Sequence, residues 1–157
     1  MRKPQPQTRV DHTALKVNQA FIVGLLTLAF ILGKDPAGVW LVLFVAMVLA
    51  VGTIFPSAGL FKLVYSKVLK PAGILKPKVV PDDPAPHLFA QGLGAVFLFA
   101  SLLAFAAGSV VAGWLLTWIV IALAFINLTV SFCAGCFVFY QLKRRGLLPF
   151  QKQATQP

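Results

Sequence analysis

The 157-residue chain is 59% hydrophobic and 11% charged, whereas soluble domains average about 45–50% apolar and about 25% charged. That excludes an ordinary water-soluble globule and a disordered chain. Fourteen Lys+Arg against four Asp+Glu give a formal charge of +10. The basic residues sit between apolar runs, as expected of a membrane protein facing an anionic leaflet rather than a nucleic-acid binder.

In chain order, residues 1–16 read as a polar N-terminal tail containing Pro4 and Pro6 and ending in a helix cap at Asp11 or Thr13. A transmembrane domain over 17–145 follows. Its first apolar run is about Val17 to Gly33 and its second about Gly38 to Phe55. The third is about Leu88 to Ala107 and the fourth about Trp114 to Tyr140. A spanning helix needs about 20 residues, so the first two runs are near the short end and the fourth is longer than required. The first run follows a polar region and lacks an A-x-A-type site, so it reads as a retained anchor.

The loop at 66–87 carries Pro71, Pro77, Pro81, Pro84 and Pro86, which argue against a continuous helix there. Tyr65–Lys70, with Phe61 and Lys62, is expected to continue the second helix along the interface, its lysines reaching head groups. Residues 146–157 read as a C-terminal tail.

Charge orients the runs. Arg2, Lys3, Arg9 and Lys16 precede the first. Lys62, Lys67, Lys70, Lys76 and Lys78 lie between the second and third. Lys143, Arg144, Arg145 and Lys152 follow the fourth. The other two connections hold only Lys34 beside Asp35, and no charge at all over 108–113. The positive-inside rule therefore places both termini and the central loop in the cytoplasm of a multi-pass membrane protein. The expected fold is all-α, with four transmembrane helices as two tandem hairpins.

The halves resemble each other. Asn18-Gln19-Ala20 matches Ala90-Gln91-Gly92, and Trp40 matches Trp114. Phe55-Pro56-Ser57-Ala58-Gly59-Leu60-Phe61 matches Phe132-Cys133-Ala134-Gly135-Cys136-Phe137. A pseudo-twofold axis along the membrane normal is the natural arrangement.

Cys133 and Cys136 are the only cysteines. Cys133 follows Trp114 by 19 residues, about 29 Å of helix, which puts both thiols at the cytoplasmic edge. The C-x-x-C spacing suggests dithiol chemistry, a packing pair or a metal site. On a continuous fourth helix the pair lies near a C-terminus, where the dipole opposes the thiolate and Lys143, Arg144 and Arg145 favour it. Gly135 between the thiols is expected to loosen the helix. Thr129, Cys133, Cys136 and Tyr140 form one stripe, and Asn127 faces elsewhere with Ser131.

Gln19, Gln91 and Asn127 are polar-site candidates or interhelical hydrogen-bonders. His12 and His87, the only histidines, each precede a membrane run on the side of the thiols. A metal site of His12, His87, Cys133 and Cys136 is thus allowed by topology. No charged residue lies inside a run, which counts against proton-coupled transport or voltage sensing. No P-loop, G-x-S-x-G or H-E-x-x-H motif is present, and no pattern names a cofactor.

Asp11-His12, Asn18-Gln19-Ala20-Phe21, Pro56-Ser57-Ala58-Gly59-Leu60, Pro86-His87-Leu88-Phe89-Ala90-Gln91-Gly92 and Phe132-Cys133-Ala134-Gly135-Cys136 together resemble the small bacterial membrane family labelled domain of unknown function 4395. The resemblance covers about residues 10–145, and C-x-G-C is its most specific part. It implies a four-helix bacterial inner-membrane protein and no established activity, with thioredoxin-like or sulfurtransferase proteins as associated partners. The chain is also similar, more distantly, to membrane thiol oxidases that pass electrons to quinone, but lacks their second cysteine pair. Three functions follow as expectations. One is a membrane dithiol, Cys133 and Cys136 attacking and resolving, that exchanges electrons or sulfur with a cytosolic partner. The second is an assembly subunit of a larger membrane complex. The third is an oligomeric carrier of a small sulfur species.

Overall fold

The computed structural model describes residues 9–33, 35–55, 63–73, 78–81 and 84–146. Four long helices form the body: α1 (His12–Leu32), α2 (Pro36–Ile54), α3 (Pro84–Ala106) and α4 (Val110–Val130). All four are long and apolar enough to cross a membrane. At 1.5 Å per residue, the 21 residues of α1 or α4 extend about 31 Å, the thickness of a hydrocarbon core. A fifth, shorter helix, α5 (Ala134–Arg144), follows.

The helices run up and down in a ring. α1 packs on α2, α2 on α3, α3 on α4 and α4 back on α1. The α1–α2 and α3–α4 hairpins are closely connected, with Gly33 following α1 and Gly108 following α3 at positive φ (66° and 81°). The hairpins expected from the sequence are therefore present as a four-helix, multi-pass membrane bundle.

Each helix starts for a local reason. Asp11 caps α1, its carboxylate accepting from the backbone N–H groups of Thr13 (3.0 Å) and Ala14 (3.4 Å). α1 therefore begins at His12, ahead of the apolar run at Val17. Pro36 begins α2. Pro84 begins α3, inside the expected loop, because the first turn of a helix needs no proline N–H.

The core is narrow and built of small and branched side chains. Ile22, Leu26 and Ala29 of α1 meet Val42, Val45, Ala46 and Leu49 of α2. Ala95 and Leu98 of α3 and Val120, Ile121 and Ala124 of α4 complete it. Large apolar side chains point outward instead, Ile31 at 74% and Leu103 at 72% exposure among them. In water this surface would aggregate; in lipid it is solvated. Lipid removes the usual hydrophobic drive between helices, leaving close packing and buried hydrogen bonds to hold them. Ser101 of α3 supplies one: its Oγ donates to the Gly113 carbonyl at 2.7 Å and lies 2.8 Å from Thr117 Oγ1.

The polar end of the bundle has its own tie. β1 (Arg9–Asp11) and β2 (Val79–Pro81) form a short antiparallel ribbon, Val10 opposite Val80. The Lys78 carbonyl accepts from the His12 N–H at 3.0 Å, and Lys78 N–H donates to Thr13 Oγ1 at 3.1 Å. The linker between the hairpins is thus pinned to the start of α1. Within that linker Tyr65–Leu69 winds as a π-helix. This accords with the helical continuation expected there, whose Phe61 and Lys62 lie outside the described residues. The Tyr65 ring is buried and its hydroxyl has no hydrogen-bond partner among the described residues. The Ala58-Gly59 half of the internal match also lies outside them.

Two outcomes are expected. Ser101→Ala should destabilise the bundle by about 1 kcal/mol, read by unfolding in mixed micelles; an unchanged midpoint would show that the buried hydroxyl bonds contribute nothing. Burial and then the Asp11 carboxylate raise the Tyr65 phenol above its ordinary value of 10.0. The folded chain therefore holds that proton more tightly than the unfolded chain. The associated stability is fully present below about pH 10 and falls as the pH climbs toward the folded pKa. Melting of Tyr65→Phe against wild type between about pH 8 and 11 should show a shallower alkaline decline in the variant.

Candidate functional site

The fourth apolar run is two helices, not one. α4 ends at Ser131, which turns left-handed (φ 58°, ψ 23°). Cys133 is extended (φ −92°, ψ 101°) and caps α5. The physical reason is length and packing together. α4 already crosses the bilayer by Val130, and the residues beyond it find a partner surface on α3. The Phe139 ring packs at a tilt against Phe89, centroids 5.5 Å apart. Gly135 sits against Ala90 so closely that a Cβ on it would fall on the Ala90 methyl and 2.7 Å from its Cα. Gly135 is thus needed for close approach of α3, where the sequence suggested a loosening of the helix.

This break reverses the electrostatics expected for the cysteines. They open α5 rather than closing α4. The Cys136 N–H donates to Cys133 Sγ at 3.2 Å, and the positive end of the α5 dipole faces the same sulfur, favouring its thiolate. Lys143 and Arg144 lie in the last turn of α5 and Arg145 caps it, about 15 Å from Cys133 along the axis. The N-terminus of α5, not these cations, is the local positive field. Cys133 and Cys136 are joined in a disulfide, Cα atoms 5.1 Å apart.

His87, in the first turn of α3, meets the pair. Its Nδ1 is 3.6 Å from Cys136 Sγ. The potential ligand atoms of His87, Cys133 and Cys136 all lie within 4.8 Å of one another. His12 stands one ring further out, edge-on to His87 with centroids 6.1 Å apart. The cap at Asp11 and the Lys78 bonds bring it there. Three of the four residues expected to share a metal site are therefore together, and the fourth is adjacent.

A cavity of about 70 Å³ lies among the helices beside the pair, large enough for water or one small molecule. Gln19, Gln91, Asn127 and Cys133 all line it. Asn127, expected to face away from the thiols, shares this wall because the turn at 131–133 swings Cys133 back over it. Gln91 also acts as an interhelical tie, its Nε2 donating to the Leu49 carbonyl at 3.3 Å. Asn18, only 5% exposed, lines the cavity too. Its place in the wall was not read from the sequence; the signal was a second amide beside Gln19 at the start of an apolar run. Tyr140 is not part of the site: it is half exposed and packs edge-on against Phe139. Thr129 is exposed and bonds the Phe125 carbonyl of its own helix at 2.9 Å, so the expected four-residue stripe is dispersed by the break.

Gly135→Ala should lose about 1–3 kcal/mol through overpacking on Ala90. Adding Ala90→Gly should recover part of that loss, read as the unfolding midpoint of the double variant. Strictly additive losses would mean that the two positions do not touch.

No curated protein and no solved structure matches the chain. The family described as domain of unknown function (DUF4395) matches residues 10–144, which takes in all four long helices, His12, His87 and the cysteine pair. The chain belongs to that family.

Proposed function

We propose that this protein is a dithiol–disulfide exchanger anchored in the bacterial inner membrane, acting on the cytoplasmic side with a thioredoxin-like or sulfurtransferase partner. The cytoplasmic assignment rests on charge. Lys16, Lys67, Lys70, Lys78, Lys143, Arg144 and Arg145 all belong to the end of the bundle that carries the cysteines, as the positive-inside rule requires of a cytoplasmic face. The bacterial inner membrane itself follows from the family resemblance.

The observation that carries the chemistry is the setting of the two sulfurs. Cys133 caps a helix and Cys136 touches an imidazole nitrogen. Cys133 is thereby suited to attack and Cys136 to resolve. With the pair reduced, the Cys133 thiolate attacks one sulfur of a partner disulfide. A Cys133–partner bond forms and the first partner thiolate leaves. Cys136 then gives its proton to His87 Nδ1 and attacks Cys133 Sγ, and the second partner thiolate leaves. Two electrons pass from the cysteines to the partner. The reverse sequence reduces the pair, with direction set by the two potentials.

The cavity favours a second reading, in which sulfur rather than electrons is passed on. Hydrogen sulfide, seated among the amides as the neutral molecule, would give a proton to His87 and attack the disulfide at Cys133. It would leave a persulfide there and a thiolate on Cys136, which His87 would protonate.

In intact cells, Cys136→Ser should accumulate a mixed disulfide through Cys133, and Cys133→Ser should not. Wild-type thiols should label with membrane-permeant but not impermeant maleimide, and diamide should protect them. His87→Ala should slow disulfide closure by about 100-fold. Thiols that never label without denaturant, and no trapped partner, would leave the cysteines as packing residues of an assembly subunit.

A further inference from the structure

We infer that the reduced protein binds one zinc-type divalent ion through Cys133 Sγ, Cys136 Sγ and His87 Nδ1, and that the disulfide form does not. The donor set is two thiolates and one imidazole, a borderline-soft combination suited to Zn²⁺. The distances agree. Zn–S bonds of about 2.3 Å and a Zn–N bond of about 2.05 Å at tetrahedral angles place sulfur and nitrogen about 3.6 Å apart. Cys136 Sγ and His87 Nδ1 are 3.6 Å apart before any ion enters. Two thiolates on the same ion stand about 3.8 Å apart, a separation the sulfurs become free to adopt once the bond between them is reduced. The third donor is held in place: all three ligand atoms already lie within 4.8 Å of one another.

The support around the ligands is also that of a metal site. The Cys136 N–H donates to Cys133 Sγ, the type of bond that orients a ligating thiolate. Two thiolates this close repel each other, and the positive end of α5 offsets only part of that charge, so a shared cation is the natural partner of the reduced pair. Gly135 lets α5 come down onto α3, which is what sets both sulfurs beside His87. The fourth corner is left to water or a small ligand, since His12 lies outside the group.

The two states exclude each other because the ligands are themselves the reductant. Oxidation by a disulfide-class oxidant takes two electrons from the thiolates, joins the sulfurs and cleaves the oxidant to two thiolates. The ion departs with its charge unchanged. Metal binding of this kind needs no partner protein and stands whether or not the pair exchanges electrons with one.

The test uses the full chain in detergent, reduced with a phosphine and freed of it without air, then titrated with Co²⁺. Expected are thiolate-to-cobalt charge transfer and the intense visible bands of tetrahedral cobalt, saturating at one ion per chain and bleached by Zn²⁺. The disulfide form and Cys133→Ser should show neither. His87→Ala should weaken binding at least about tenfold, and His87→Cys should restore it with stronger charge transfer, which separates a lost ligand from a lost fold. Absence of these bands in the reduced wild type would overturn the site. So would His87→Ala binding cobalt as tightly as wild type.

Discussion

Gly135 rests on Ala90 with no room for a side chain between them, and the chemistry at this end of the bundle depends on that contact. A helix that continued straight from Val130 would carry both cysteines away from α3 and bury their thiols against a dipole of the wrong sign. The turn at Ser131 alone would free the segment without placing it. Contact with α3 gives α5 a seat, and the seat puts Cys136 beside His87 and Cys133 over the amide-lined cavity. One missing Cβ therefore links helix packing to thiol electrostatics.

The rest of the bundle supplies a stiff frame for this contact. Hydrocarbon gives helices little reason to associate through apolar burial, so approach distance and buried hydroxyl bonds matter more than side-chain size. Ala29, Ala46, Ala95 and Ala124 in the core let the four axes close up, and Ser101 with Thr117 ties α3 to α4 near the opposite end. The ribbon and Lys78 bonds then fasten the linker to α1. His12 and His87 come from different hairpins, and their adjacency is a product of these ties rather than of sequence proximity.

The four spans, their pairing as hairpins and the gathering of polar residues at one end were legible because they follow from length, hydropathy and charge alone. The cap of α1 was legible as Asp11 or Thr13, both being cap-forming residues ahead of an apolar run, and the structure selects Asp11. The break at 131–133 was not. Ser131 takes a left-handed conformation without being glycine or asparagine, and a cysteine is not an expected helix cap. The available hint was excess length, since Trp114 to Tyr140 outruns the bilayer. Reading that run as one helix turned Asn127 away from the thiols and gave the dipole the opposite sign. Both errors come from a single φ angle that tertiary packing, not local propensity, selects.

What this site can do is narrowed by what the spans lack. Among the described residues no Asp, Glu, Lys or Arg is buried in the core, and the cavity wall contributes amides, apolar groups and one sulfur. Amides can orient a neutral or thiol-like ligand but cannot exchange protons with it, and they offer no countercharge to a desolvated anion. Proton exchange is left to His87 and covalent change to the two sulfurs. A proton carrier, an electron pair shared between two cysteines and an uncharged recess beside them make up a minimal set for sulfur chemistry at a membrane edge. The same set explains why the cysteines sit at the head-group end of the bundle. A thiolate deeper in hydrocarbon would be protonated and inert, whereas at the start of α5 it keeps the field of its helix dipole.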